Sequence, residues 1–220
     1  MKQTLLLFIL AMLTSCEQIH YDGETRLVFQ TVVKDANGQP LPNTHVEIRP
    51  TTGYASDLIS KGKTNENGEI TLLFPAPDGD AIDINLKFYN DDNTYMERET
   101  LNLSRADFVN YKFVFPDTYL LKNDEVALLN VIYNQTNPAV ILRKVTIQGI
   151  YSTPEEYYHV PQDDDYYYDY SFLMPSPFFI KKNQSFQLKY TTLNLQTNVH
   201  TQQFVDLQIG NDNIDYTLNY

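Results

Sequence analysis

The chain has 220 residues, a formal charge of −12, 17 tyrosines, no tryptophan and a single cysteine. The acidic balance argues against nucleic acid, because phosphate recognition needs a basic stripe. One thiol excludes an intramolecular disulfide framework and a multi-thiolate zinc site, and 42% hydrophobic with 13% aromatic residues is too apolar for a disordered acidic chain.

The first element is a targeting segment. Lys2 supplies a positive start, and Leu5 to Leu13 is an unbroken apolar run. A membrane-spanning helix needs ~20 apolar residues, so this run reads as the h-region of a secretory signal. It ends in Leu13-Thr14-Ser15-Cys16. That tetrad resembles the lipobox of bacterial lipoproteins: an aliphatic residue, two small residues, then the cysteine. The resemblance implies a diacylglyceryl thioether on Cys16, cleavage before it, and acylation of the new amine. Each buried methylene of an acyl chain contributes ~0.8 kcal/mol, so two or three chains hold a protein stably on a membrane. An ordinary signal peptide with an incidental Cys16 is the alternative. The mature chain is too acidic to cling to anionic headgroups by charge, and Glu17 to Gly23 reads as a tether.

Beyond the tether, period-two alternation dominates, as in half-buried strands. Ile82, Ile84, Leu86 and Phe88 alternate with polar residues and Tyr89. The same holds for Phe186, Leu188 and Tyr190, for Val205, Leu207 and Ile209, and for Ile214, Tyr216 and Leu218. Asn37-Gly38 and Asn67-Gly68 favour turns with φ > 0, and Asp91-Asp92-Asn93 and Asn211-Asp212-Asn213 suit hairpin tips. Helical signals are confined to Ser104 with Asp107, which suit the cap of one turn, and Thr153-Pro154-Glu155-Glu156, which suit the start of another.

The expected fold is all-β: two consecutive antiparallel β-sandwiches of the immunoglobulin or transthyretin kind. Signal peptide 1–15 and lipidated tether 16–23 precede sandwiches over 24–116 and 117–220, divided near Phe115-Pro116-Asp117. A single larger sandwich, with that point as an inter-sheet crossing, is the alternative.

A family pattern lies in the first of these. Lys34-Asp35-Ala36-Asn37-Gly38-Gln39-Pro40-Leu41 is followed by the alternating run to Ile48, and then by Thr64-Asn65-Glu66-Asn67-Gly68-Glu69. Over roughly residues 26 to 90 this resembles the carboxypeptidase regulatory-like, transthyretin-like sandwich common in Bacteroidetes surface proteins. The resemblance implies a fold and says little of function, since such sandwiches host many roles. The second sandwich carries no family pattern of its own.

Catalytic constellations are weak. The C-terminal Tyr-Arg-Gly-Ser of transthyretin-like 5-hydroxyisourate hydrolases is absent, the chain ending Thr217-Leu218-Asn219-Tyr220. Lys34 lies directly before Asp35, on the wrong strand face for the Lys–Asn isopeptide of collagen-adhesin B-type domains, and is expected at the surface. His20, His45, His159 and His200 are scattered, without metal-ligand spacing. His45 and Glu47 share a strand face and are expected to be exposed. A pair of catalytic carboxylates is fixed only by tertiary structure and stays open. Asp78, Asp80 and Asp83 offer hard oxygen ligands on a turn, where Ca²⁺ is a weak candidate against a plain acidic hairpin tip.

The most unusual stretch runs from Tyr157 and Tyr158 to Tyr166, Tyr167, Tyr168 and Tyr170, with Asp163, Asp164, Asp165 and Asp169 interleaved. Tyrosine gives rigid amphipathic contact area at low entropic cost. One reading is a recognition loop for a protein or glycan. The other is a solvated excursion whose tyrosines partly pack on the second sandwich. Together these features predict a non-enzymatic lipoprotein with a binding or structural role, an accessory subunit or adhesin. It is expected on the outer membrane, at the cell surface or periplasmic face, with an envelope protein or glycan as partner. The alternative is a glycan-binding accessory of a polysaccharide-uptake system.

Overall fold

A computed structural model describes residues 18–53, 55–79, 82–152, 154–158 and 177–220. The described chain is all-β, with fifteen strands, two 3-10 turns and no α-helix.

Four strands form the first sheet. Strand β1 (Tyr21–Lys34) pairs antiparallel with β4 (Glu69–Pro77) and parallel with β7 (Lys112–Val114) and β8 (Thr118–Tyr119). Facing it is a sheet in the order β11 (Glu155–Tyr157), β6 (Arg98–Leu103), β5 (Asp83–Tyr89), β2 (His45–Thr51), β3 (Ser60–Lys63). The inner faces meet in one apolar core. Phe29 and Phe74 come from the first sheet, Ile48, Leu86 and Phe88 from the second, and none is more than 1% exposed. Phe113 and Phe115 pack tilted against Phe29, at 6.4 and 6.1 Å between ring centroids. Each such side chain contributes ~1.5–3 kcal/mol by leaving water.

The second core lies between two three-stranded sheets. One is β10 (Val140–Gln148), β13 (Gln184–Asn194), β14 (Val199–Ile209); the other is β12 (Phe178–Lys181), β9 (Val126–Asn134), β15 (Ile214–Asn219). Leu129, Ile180, Leu188 and Ile209 are fully buried there. The alternating runs around Phe88, Phe186, Leu207 and Tyr216 are thus strands β5, β13, β14 and β15.

Pairing differs from the purely antiparallel expectation. Besides β7 and β8 on β1, β15 runs parallel to β9 and β11 parallel to β6. In each case a long stretch of chain separates the parallel partners, as a parallel pairing requires, since a tight hairpin joins only antiparallel strands. The first core also extends past Pro116, because β8 pairs with β1 and Leu120 is fully buried in it. The segment Glu155-Glu156-Tyr157 is a strand and not a helix start. The edge of β6 offers it ladder partners, and Glu99 N–H donates to the Pro154 carbonyl at 2.7 Å. Asp107 does close a 3-10 turn, its carboxylate accepting the Ser104 backbone N–H at 2.7 Å.

The two Asn-Gly turns are chemical twins. Asp35 Oδ1 accepts the N–H groups of Asn37 and Gln39, both at 2.8 Å. Asn65 Oδ1 accepts those of Asn67 and Glu69, both at 2.9 Å. Gly38 and Gly68 take the positive φ in each, 76° and 70°. The loops also dock together, Val33 N–H donating to the Gly68 carbonyl at 2.8 Å.

Candidate binding site at the seam of the two sandwiches

Strand β11 belongs by sequence to the second half but adds to the sheet of the first, and this places a polar cluster between the halves. Arg98 and Thr100 of β6 lie opposite Phe88 and Leu86 of β5, so their side chains share the inner face of the sheet. Both are buried, at 6% and 1% exposure. A register irregularity toward the end of β6, with Asn102 at φ 62°, shifts the alternation and returns Leu103 to the core. Glu156, opposite Thr100 on β11, faces the same way.

A buried arginine needs a partner, since an unpaired interior charge loses several kcal/mol of hydration. Glu156 accepts Arg98 Nη2 at 2.8 Å, and the hydroxyl of Tyr151 donates to the other Glu156 oxygen at 2.6 Å. The guanidinium also lies over the Tyr151 ring, 4.8 Å from its centroid. Burial first, and Glu156 second among the groups that raise it, push the Tyr151 hydroxyl well above its ordinary pKa, so it stays a donor. Two further ties cross the seam: Tyr158 packs edge-on against Phe113 at 5.6 Å, and Lys181 Nζ donates to the Ala36 carbonyl at 2.7 Å.

Beside this cluster is a cavity of about 390 Å³. Arg98, Thr100 and Glu156 line one part of it, Lys144, Tyr157 and Tyr158 another. Lys144 Nζ donates to the Tyr158 carbonyl at 2.9 Å, and burial lowers its pKa. Two polar atoms of these residues, Arg98 Nε and Thr100 Oγ1, are buried away from the cavity surface and have no hydrogen-bond partner.

The residues singled out from sequence fall unevenly. Tyr157 and Tyr158 line the seam cavity. Tyr158 packs on Phe113 and Phe115 of the first core, where the sequence suggested the second sandwich. Cys16, Asp80, His159, Tyr166, Tyr167, Tyr168 and Tyr170 lie outside the described residues. Asp78 is tied through its N–H to the His20 carbonyl at 2.8 Å, and Asp83 opens β5. Among the described residues no three His, Cys, Asp or Glu side chains gather as a metal site. Glu47 is not exposed as expected. It is 6% exposed because Tyr89 donates to it at 2.8 Å and Arg49 at 2.9 Å. His45 stacks on Tyr89 at 4.7 Å and pairs with Asp91 at 2.7 Å. Lys34 pairs with Asp117 at the partly exposed edge of the first sandwich.

Arg98, Thr100 and Lys144 were missed by sequence reasoning. Alternation in Arg98-Glu99-Thr100-Leu101-Asn102-Leu103 points Leu101 and Leu103 inward, and only the irregular register turns Arg98 and Thr100 in.

No protein-family model and no curated protein matches the chain. Among solved structures it is similar to the shaft pilin SpaA of Lactobacillus rhamnosus GG, with 10% identity, 89% of this chain and 98% of that one covered, and a TM-score of 0.36. A streptococcal ancillary pilin gives 10% identity over 90% and 62% of the two chains, at a TM-score of 0.32. The 3-chlorocatechol 1,2-dioxygenase of Rhodococcus opacus 1CP gives 15% identity over 46% and 61%, at 0.33. The chain thus spans about three fifths of the length of the last two. Likenesses at these TM-scores carry no argument about what this chain does.

Proposed function

We propose that this protein is a lipid-anchored envelope protein that presents two β-sandwiches at the cell surface and binds a partner at the seam between them. The observation that carries the reading is the seam cavity. A buried Arg98–Glu156–Tyr151 cluster is costly to build, and all three of its residues line that cavity. The role is binding and not catalysis. Glu156 spends its two oxygens on Arg98 and Tyr151, which suits a fixed acceptor better than a proton shuttle. Anchoring rests on Leu13-Thr14-Ser15-Cys16. The first sandwich carries the turn pattern of the carboxypeptidase regulatory-like family in its twin Asp35–Gln39 and Asn65–Glu69 loops.

The anchor is tested by fractionation. In its native host, Cys16→Ala moves the protein from the membrane pellet to the soluble fraction. An unchanged distribution contradicts the lipid anchor.

A glycan is the second reading, favoured by Tyr119, Tyr151, Tyr157 and Tyr158 around the cavity, since aromatic faces suit sugar rings. Replacing Tyr166, Tyr167 and Tyr168 together by Ala is expected to abolish retention on a polysaccharide panel without lowering the melting temperature. Undiminished retention removes those three tyrosines from glycan recognition.

A further inference from the structure

We infer that a second copy of this chain docks on the free edge of β14, pairing β14 with β14 antiparallel so that His200 of one copy faces Asp206 of the other. This surface is distinct from the seam. In its sheet β14 lies on the far side of β13 from β10, the strand that carries Lys144 to the cavity. Among the described residues β14 pairs with β13 alone, over its whole length of 11 residues and without a register shift. Its other side presents backbone donors and acceptors to a further strand. Edge strands are ordinarily blunted by shortness, bulges, proline or charged side chains, lysine above all. Two other edges of this sandwich show such devices. Strand β12 has 4 residues and ends in Lys181, and β10 carries a register shift beside Arg143 and Lys144. Strand β14 is unbroken and has no proline, glycine, lysine or arginine. Val199 to Phe204 are all exposed, Val199 and Phe204 at 54% and 48%.

The side chains say which strand fits. Residues opposed across an antiparallel pair point to the same face, so self-pairing about Gln203 sets His200 against Asp206, Thr201 against Val205 and Val199 against Leu207. His200 and Asp206 are the only ionisable side chains of β14, and this two-fold register alone opposes them, twice per dimer. Asp206 gives Oδ1 to the Gln187 amide at 2.9 Å, which leaves Oδ2 for the histidine. The two Phe204 rings become diagonal neighbours, a spacing that aromatic side chains bridge. On the opposite face Val205 and Leu207, which pack against the second core, are extended by Thr201 and Val199 of the second copy. A strand of unrelated sequence would match the backbone and not these pairs.

The test measures the mass of the full chain in mild detergent by light scattering, at mildly acidic pH, where histidine is largely protonated. The wild type is expected to have the mass of two chains at tens of micromolar. Asp206→Lys opposes two cations at both ends of the pairing, and His200→Asp opposes two anions. Each is expected to weaken the dimer about tenfold. The double variant His200→Asp, Asp206→Lys exchanges the charges, keeps the register and should restore the wild-type dimer. Both positions are exposed, so the melting temperature of each variant at monomeric concentration should stay near that of the wild type. Should Asp206→Lys fail to fold, His200→Asp alone carries the test. A monomeric wild type overturns the proposal and leaves the edge to a strand of another protein. A dimer that His200→Asp leaves intact, or that the folded double variant fails to restore, overturns it as well.

Discussion

Arg98→Met is expected to destabilise the protein by about 3–5 kcal/mol, because it strands a partly buried carboxylate in the seam. Glu156, with its side chain 18% exposed, then keeps only the Tyr151 hydroxyl. Tyr151 in turn loses the cation over its ring. For a chain of this size the loss corresponds to a melting-temperature drop on the order of 10 °C. The double variant Arg98→Met, Glu156→Met is expected to recover most of it, since replacing both members of a buried pair by apolar groups is far milder than removing one. Thermal melts of the single and double variants measure this. Equal losses in the two would mean that Arg98 acts through packing alone, and a loss under 1 kcal/mol would mean that the seam bears little of the fold's stability.

The twin turns give the second large effect, through a contrast between like residues. Gly38 and Gly68 both adopt positive φ, so alanine at either incurs roughly 1–2 kcal/mol of left-handed strain. Around Gly38 a Cβ meets nothing within 4 Å. At Gly68 it lands 2.4 Å from the Val33 carbonyl oxygen and 3.1 Å from the Leu41 nitrogen. Both are backbone atoms, and they bond to each other, Leu41 N–H donating to Val33 O at 2.9 Å. The loops must therefore part, and Gly68→Ala is expected to cost at least about 2 kcal/mol more than Gly38→Ala. Chemical denaturation of the two variants settles the difference. Matching losses would contradict the docked arrangement of the loops.

Turn chemistry and alternation made the local parts of this fold legible. Asn37-Gly38 and Asn67-Gly68 specify their loops within five residues, and the runs ending at Phe88, Ile209 and Leu218 declare their buried faces. The parallel pairings were not legible. Nothing within β9 or β15 says that they lie side by side, because five strands, β10 to β14, separate them in the chain and the pairing is fixed only by how those strands are placed. Pro154-Glu155-Glu156 has the composition of a helix start, yet the unpaired edge of β6 outbids local propensity. Glu47 misleads for a related reason. A carboxylate on an alternating strand reads as solvent-facing, and only Tyr89 and Arg49, from positions ahead of it, make its burial tolerable.

The seam was least legible of all. Its charged residues come from β6, β10, β11 and the link before β8, and the inward turn of Arg98 depends on an irregular ladder that swaps the faces of Arg98 and Leu101. The tyrosine-rich stretch did point near it, since Tyr157 and Tyr158 stand at the cavity. The cationic and hydroxyl groups opposite them left no motif.

Two separate apolar cores are tied across the seam, through Arg98 to Glu156 and Lys181 to Ala36, and are expected to unfold as one unit. Differential scanning calorimetry of the full chain tests it most directly. A single transition is expected, with calorimetric and van't Hoff enthalpies equal. Two resolved transitions, or a van't Hoff enthalpy near half the calorimetric one, would show that the halves melt independently, and would contradict a structural seam and the site built upon it.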